Sequence, residues 1–265
     1  MWLEGCHALI TGASAGIGGE FARQLASRAA LLVLVARREE RLIELRDELE
    51  RQHPRLRVSI RRADLSNAAE IEELLRWIEG EGFPIDLLIN NAGLGDRGAF
   101  ATADPERIDK IMLVNMVALT RLTRGLLPAM IARKQGAILN VSSSASFLAI
   151  PNFAVYAATK AYVTSFSDAL HSELRGSGVS VSALCPGPVR TEFNAVARRS
   201  PEGVVPAPGI AHVAVEEVVK SALHGLERNR PIVIPGAVMK FGMALVRLTP
   251  RPLLRLANRF RSRAS

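Results

Sequence analysis

Short apolar runs alternate along this chain with longer stretches whose apolar residues recur every three or four positions. Residues 7–10, 31–35, 57–61, 86–90, 136–142 and 179–184 are short and rich in Val, Ile and Leu. Runs of that length and composition, bounded by helical patterns, read as buried strands. Between them, 39–52 and 67–79 carry apolar positions at helical spacing, and Phe21, Ala22 and Leu25 do the same behind the first run. Strand and helix in steady alternation predict an α/β fold with a parallel, doubly wound sheet. The 265 residues fit a single such domain with a large core, and no internal repeat or low-complexity linker divides them.

Composition removes several classes. Two cysteines, Cys6 and Cys185, make no disulfide framework and no metal pattern, and both read as packing residues of a reducing compartment. The five histidines are scattered, and His171 has an ordinary surface role. The chain enters its first strand at once, so no secretory signal is expected, and no apolar run approaches the ~18 residues that would span a bilayer. A cytoplasmic location is the expectation.

Net charge is +8, and the excess is uneven. From Val238 onward Lys240, Arg247, Arg251, Arg255, Arg259, Arg261 and Arg263 occur with no acid among them. Apolar residues interleave with these cations, and Pro250 and Pro252 are expected to break the segment into two short helices. The reading divides the chain into a domain over 1–237 and a basic amphipathic tail over 238–265. Two roles stand open for the tail. Its apolar face packs on the domain or on a neighbouring subunit, or it lies on an anionic membrane surface and makes the protein peripheral there. Nucleic acid is a less favoured partner.

The first strand runs into Gly12-Ala13-Ser14-Ala15-Gly16-Ile17-Gly18 and then into a helix. Strand, glycine turn and helix make a cradle for a pyrophosphate, because glycine admits close backbone approach and a helix start offers free N–H groups. The turn lacks the lysine of a phosphate-binding P-loop, which argues against an ATPase or GTPase. The second strand ends at Ala36-Arg37-Arg38. An acid near that place would bind the ribose hydroxyl of NAD, whereas guanidinium groups grip a 2′-phosphate. NADP(H) is therefore preferred over NAD(H), with Arg37 favoured over Arg38.

Tyr156 and Lys160 stand one helical turn apart, so both face one way. A phenol titrates near ~10, and a neighbouring ammonium lowers that value, making the tyrosine a usable acid or base. Alone, Tyr-x-x-x-Lys is common on surface helices.

Together, Gly12 to Gly18, Asn90-Asn91-Ala92-Gly93, Ser143 and Tyr156/Lys160 resemble the short-chain dehydrogenase/reductase family, over about residues 5 to 235. The resemblance implies a Rossmann-type sheet of about seven strands with helices on both faces. It implies hydride transfer between a nicotinamide cofactor and a ketone, aldehyde or alcohol, with Tyr156 as acid/base. Ser143, thirteen residues before Tyr156, would hydrogen-bond the substrate oxygen. Asn115 resembles the family's helix-interrupting asparagine, which holds a water in a proton relay to Lys160. Lys160 would also bond the nicotinamide ribose. Ser14, Ala15 and Ile17 belong to the glycine turn. Asp64 and Leu65 would contact the adenine. Asn90, Asn91, Ala92 and Gly93 would end the fourth strand and border its ribose. Pro186, Gly187, Val189 and Thr191 would hold the carboxamide. Metal is not expected. A homodimer or homotetramer built through helices around 107–133 and 155–176 is implied.

The substrate end is less determinate. Residues 94–97, 145–153 and 192–212 are expected to line it, within a substrate loop at about 190–213, and 201–215 reads as a mobile lid. Phe147, Leu148, Ile150 and Phe153 suggest a lipophilic carbonyl substrate. Two rival readings keep the fold without turnover: a nucleotide-binding sensor or scaffold, and a membrane-surface adaptor acting through the tail.

Overall fold

The computed structural model describes residues 3–199, 212–250 and 252–253. Seven parallel strands form one sheet in the order β3-β2-β1-β4-β5-β6-β7. These are β1 (His7–Thr11), β2 (Leu31–Ala36), β3 (Arg57–Arg62), β4 (Leu87–Asn90), β5 (Gly136–Val141), β6 (Val179–Leu184) and β7 (Ile232–Val233). The helices are α1 (Gly16–Leu25), α2 (Glu39–Gln52), α3 (Ala68–Gly80), α4 (Pro105–Met112), α5 (Leu119–Arg133), α6 (Ala154–Glu173), α7 (Phe193–Val196), α8 (Val215–Glu227) and α9 (Ala237–Leu248). This is the predicted Rossmann-type architecture. The predicted strand and helix bounds hold to within a residue or so.

Side chains alternate across the sheet, and the alternation builds two cores. Ala8 and Ile10 of β1, with Leu32 and Leu34 of β2, pack under α1, α2 and α8 against Phe21, Leu42 and Val218. Leu9, Val33 and Val35 point the other way, among Ile71 of α3, Leu122 and Met130 of α5 and Leu174. A strand covered on both faces has no polar side, which is why β2 reads as an unbroken apolar run.

Strand order reverses between β1 and β4, so the connections leaving their carboxyl ends part and open a crevice. Thr11, Ala36, Asn90, Val141 and Leu184 end their strands at that edge.

The expectation about apolar runs needs correction. The continuous helix Pro105–Arg133 is long and apolar enough to cross a membrane by length and composition. Here Val114, Ala118, Leu122 and Leu126 from it pack in the core, and the sheet it covers accounts for its composition. Four- and three-residue spacing, rather than one solid run, hid this from inspection of the sequence.

The tail begins as helix α9, which ends before Pro250 as proline dictates. Its Met243 is buried, and Met239 packs against Gly187. The expected second tail helix, with Arg255, Arg259 and Phe260, falls outside the described residues, as do positions 201–211 of the expected lid at 201–215.

Candidate active site

A cleft of about 1160 Å³ runs along the carboxyl edge of the sheet. It is lined at one end by the glycine turn and Arg37, and at the other by Ser143, Tyr156, Lys160 and the loops that follow β4, β5 and β6.

The glycine turn is held by side chains from β1 and the segment after β4. The Thr11 hydroxyl accepts from the Asn91 and Ala92 N–H groups, each at 3.0 Å. Asn91 Nδ2 donates to the Thr11 carbonyl at 2.9 Å and to the Gly12 carbonyl at 3.3 Å. Asn91 therefore shapes the turn. Gly12 has φ +66°, and a Cβ there would stand 2.9 Å from Ala92 Cα. A Cβ on Gly18 would meet the Gly12 carbonyl oxygen. These glycines let the turn press against β4 and leave α1 starting at the cleft. Ala15, the residue before α1, offers no capping side chain, and the first turn has no acid. The helix start is thus an open donor set for a phosphate.

Beside it, Arg37 is exposed, and Arg38 donates to Ser14 Oγ at 3.3 Å. Arg38 also pairs with Glu192 at 2.9 Å, and Arg41 pairs with the other oxygen of Glu192 at 2.7 Å. Glu192 comes from the far side of the cleft, after β6, so no spacing in the sequence announces this clasp. Asp64 begins the turn after β3. Burial pushes its pKa up, but N–H and O–H donors from Ser66 outweigh that, helped by Arg37 and Lys110, and hold it below the usual carboxylate range. Leu65, Ala92, Gly93, Pro186, Gly187, Val189 and Thr191 also line the cleft.

Four residues that sequence reasoning named for chemistry converge. The predicted helix interruption is a π-helical turn, Leu113–Ala118, which carries Asn115. Asn115 is buried; its Oδ1 accepts from Leu94 N at 2.8 Å and its Nδ2 donates to Thr159 Oγ1 at 2.9 Å. A Cβ on Gly93 would lie 3.4 Å from Lys160 Nζ and 3.5 Å from Asn115 Oδ1, so these two groups share one pocket wall. Lys160 Nζ donates to the Val141 carbonyl at 2.8 Å. Ser143 Oγ accepts from Ala145 N at 3.1 Å. Tyr156 is sandwiched by Phe153, with ring centroids 4.3 Å apart, and by Phe193 at 5.4 Å.

The electrostatics correct one expectation. Burial pushes the Tyr156 phenol up to about 12, with the Ser143 hydroxyl pulling weakly down. Burial pushes Lys160 down to about 8. The ammonium is directed to a backbone carbonyl and sits 5.7 Å from the Tyr156 ring centroid, so desolvation of the phenolate outweighs it. Tyr156 is a neutral O–H donor at neutral pH.

Asn90, expected beside the adenine ribose, is instead buried behind the site. Asn90 Nδ2 donates to Asn140 Oδ1 at 2.9 Å, and Asn140 Nδ2 to Ser167 Oγ at 3.0 Å, tying β4, β5 and α6 together behind the site. Ser142 Oγ donates to the Lys160 carbonyl at 2.8 Å and is buried against α6. His171, expected on the surface, has its Nδ1 2.8 Å from the Val181 carbonyl. Cys6 and Cys185 are free and buried, as expected, and burial raises both thiol pKa values.

Fold and site together are those of a doubly wound α/β protein whose cleft joins a phosphate-ready glycine turn to a Ser143–Tyr156–Lys160 cluster. The family model for short chain dehydrogenases matches residues 6–202, and the chain belongs to that family. It is 37% identical over 198 residues to the NADP-dependent 3-hydroxy acid dehydrogenase YdfG of Escherichia coli, covering 74% of this chain and 77% of that one. It is 35% identical over 224 residues to a very-long-chain 3-oxoacyl-CoA reductase-like protein of Arabidopsis thaliana, covering 81% and 70%. A short-chain dehydrogenase from Sphingobium yanoikuyae in complex with NADPH superposes with a TM-score of 0.78 at 32% identity, over 93% of this chain and 97% of that one. Solved neighbours hold NADPH in that case and NAD in another.

Proposed function

We propose that this protein is an NADP(H)-dependent carbonyl reductase, or the reverse alcohol dehydrogenase, acting on a lipophilic ketone or aldehyde through Tyr156. The observation that carries the reading is the neutral Tyr156 hydroxyl, desolvated and packed between Phe153 and Phe193 in the cleft that begins at the open α1 N-terminus.

The residues present fit the cofactor. The glycine turn and the α1 start would receive its diphosphate, and Arg37 and Arg38 its 2′-phosphate, with Ala36 supplying no repelling carboxylate. When bound, NADP(H) supplies or accepts the hydride. Ser143 hydrogen-bonds the substrate oxygen, and Tyr156 O–H donates to it as negative charge develops there. Lys160 holds positive charge near the phenol as the proton leaves, and Asn115 fixes the wall beside Lys160. Phe153, Phe193, Leu148 and Ile150 exclude water and suit an apolar chain. Both relatives named above act at the third carbon of an acyl chain by name, so a 3-oxoacyl or 3-hydroxyacyl compound is the first substrate class to try.

Residues 1–237 carry this activity in our reading, as a dimer or tetramer built through α5 and α6. Helix α9 presents Val238, Phe241, Leu245 and Leu248 on one exposed face, flanked by Lys240 and Arg247, and this favours contact of the tail with an anionic membrane surface. Binding to anionic vesicles that is lost on deleting 238–265 tests that assignment.

The main test is consumption of NADPH and NADH with polar and apolar ketones, aldehydes and 3-oxoacyl thioesters. Turnover that needs Tyr156 and prefers NADPH supports the enzyme. NADPH binding with no turnover on any substrate favours the sensor or scaffold reading instead.

A further inference from the structure

Four arginines meet where the loop after β4 touches the segment containing α7, and one buried carboxylate serves only two of them. Asp96 is 6% exposed. Arg199 grips it through Nε, at 2.8 and 2.9 Å, and through Nη2. Arg107 Nε stands 3.1 Å from its other side. Asp104, the next acid, accepts from Glu106 N at 3.1 Å as the cap of α4. Arg97 and Arg198 have no carboxylate within ion-pair distance among the described residues.

Those two arginines are neighbours by construction. Arg97 and Arg198 form a parallel β-bridge, so their side chains leave the bridge on the same face. Their backbone is fixed. Arg97 N donates to the Ala197 carbonyl at 2.7 Å and Gly98 N to the Asn152 carbonyl at 2.9 Å. Arg107 Nη2 donates to the Gly95 carbonyl at 3.0 Å and the Val196 carbonyl at 2.6 Å. Two like charges held side by side disfavour each other, and an anion between them relieves that cost. Both line the cleft. The Arg97 guanidinium lies over the Phe153 ring, 5.9 Å from its centroid, and Phe153 stacks on Tyr156. The charge pair is thus one aromatic ring removed from the reacting hydroxyl, across the cleft from the glycine turn.

We infer that Arg97 and Arg198 form an anion subsite at the rim of the cleft, which holds a carboxylate or phosphate that the substrate carries away from its reacting carbonyl. The inference rests on the reductase reading and narrows it: the substrate is a lipophilic carbonyl compound with a remote anionic end. Apolar contacts on Phe153 and Phe193 bind the chain, and the arginines set how far the carbonyl enters.

The test compares each anionic substrate with a neutral twin on protein saturated with NADPH, so that the cofactor's own phosphates are already placed. One arm uses oxo acids with the carboxylate at increasing distance from the ketone, against their methyl esters. The second uses 3-oxoacyl thioesters of coenzyme A, against those of N-acetylcysteamine. The anionic member should lead by about tenfold or more in kcat/KM, mostly through KM, in one arm. That ratio should fall toward one in R97M/R198M, with R97K retaining part of it and an unchanged melting temperature excluding misfolding. Preference in the first arm assigns a carboxylate, and in the second a phosphate. A ratio near one in both arms of the wild-type protein, or a ratio that survives in R97M/R198M, overturns the subsite. Titration of oxo acid and ester into Tyr156→Phe protein saturated with NADP+ separates the two readings. Arginine-dependent binding of the acid with no turnover anywhere in the wild-type panel removes the reductase and leaves the subsite standing. Equal binding of acid and ester removes the subsite whatever the turnover.

Discussion

The two ends of the cleft are built by different means. The glycine-turn end consists of strand ends and a helix start, packed so closely that Gly12 and Gly18 have no room for a Cβ. The far end consists of loops and the one-turn helix α7, joined by one short backbone bridge at Arg97 and Arg198 and otherwise by side chains: the Asp96–Arg199–Arg107 cluster and the rings of Phe153 and Phe193. Tyr156 and Lys160, on the long helix α6, stand between them. The difference teaches where variation is tolerated. Close packing at the first end constrains the residue type, whereas the second end takes most of its shape from ion pairs and ring stacks.

The sharpest division between the ends comes from Tyr156→Phe. It should lower kcat by roughly 10³-fold, in the range of a lost general acid, while the dissociation constant for NADPH changes little. Stopped-flow turnover and fluorescence titration read the two quantities, and full activity in the variant sinks the mechanism. Next is Gly18→Ala, whose methyl would overlap the Gly12 carbonyl. Overlap with backbone costs about 1–3 kcal/mol, so NADPH affinity should drop by tenfold or more. Unchanged affinity would show that the turn yields more easily than its geometry implies.

The mirror experiment at the other end is Asp96→Asn. It leaves Arg199 and Arg107, both partly exposed, without their carboxylate, a loss of about 1–3 kcal/mol for charge-assisted hydrogen bonds, visible in urea unfolding. The substrate KM should rise while NADPH affinity holds; a fall in NADPH affinity instead would mean the ends are not independent.

Titration tests the middle. Lys160 is held near 8 in the folded protein, below its ordinary 10.5. The unfolded chain therefore binds more protons between those values, and stability of the free protein should rise as pH climbs from about 8 to about 10.5. Tyr156, raised from 10 to about 12, acts the other way: the folded state keeps its proton longer, so stability falls as pH rises from 10 toward 12. Thermal unfolding across pH 8–10 should show the gain, and Lys160→Met should abolish it.

The smallest effect expected is from Glu192→Gln. Glu192 is half exposed and shared by Arg38 and Arg41, so its charge offsets theirs beside the glycine turn. Removing it should raise the NADPH-to-NADH preference a few-fold, the scale of an exposed pair. No change would place the 2′-phosphate on Arg37 alone.

How legible each end was in the sequence follows the same division. Strand bounds, the glycine turn, Arg37 beyond β2 and the Tyr156–Lys160 pair could all be read locally, since each depends on residues within one or two elements. The direction of the Tyr156 titration could not. Spacing shows that an ammonium is near, but only burial decides that desolvation prevails. The clasp of Glu192 on Arg38 and Arg41, the Asn90–Asn140–Ser167 network and the Arg97–Arg198 bridge each join segments far apart in the chain. No local pattern marks them.

By itself, the sequence determined the alternation of strand and helix, the glycine turn between β1 and α1 and the one-turn pairing of Tyr156 with Lys160, because periodicity, glycine geometry and one-turn spacing are local properties. Tertiary structure decided the direction in which Tyr156 and Lys160 shift, the partner of Arg38 and which arginines at the far end have no carboxylate partner among the described residues. Those outcomes depend on desolvation and on distances between segments that only the folded chain brings together.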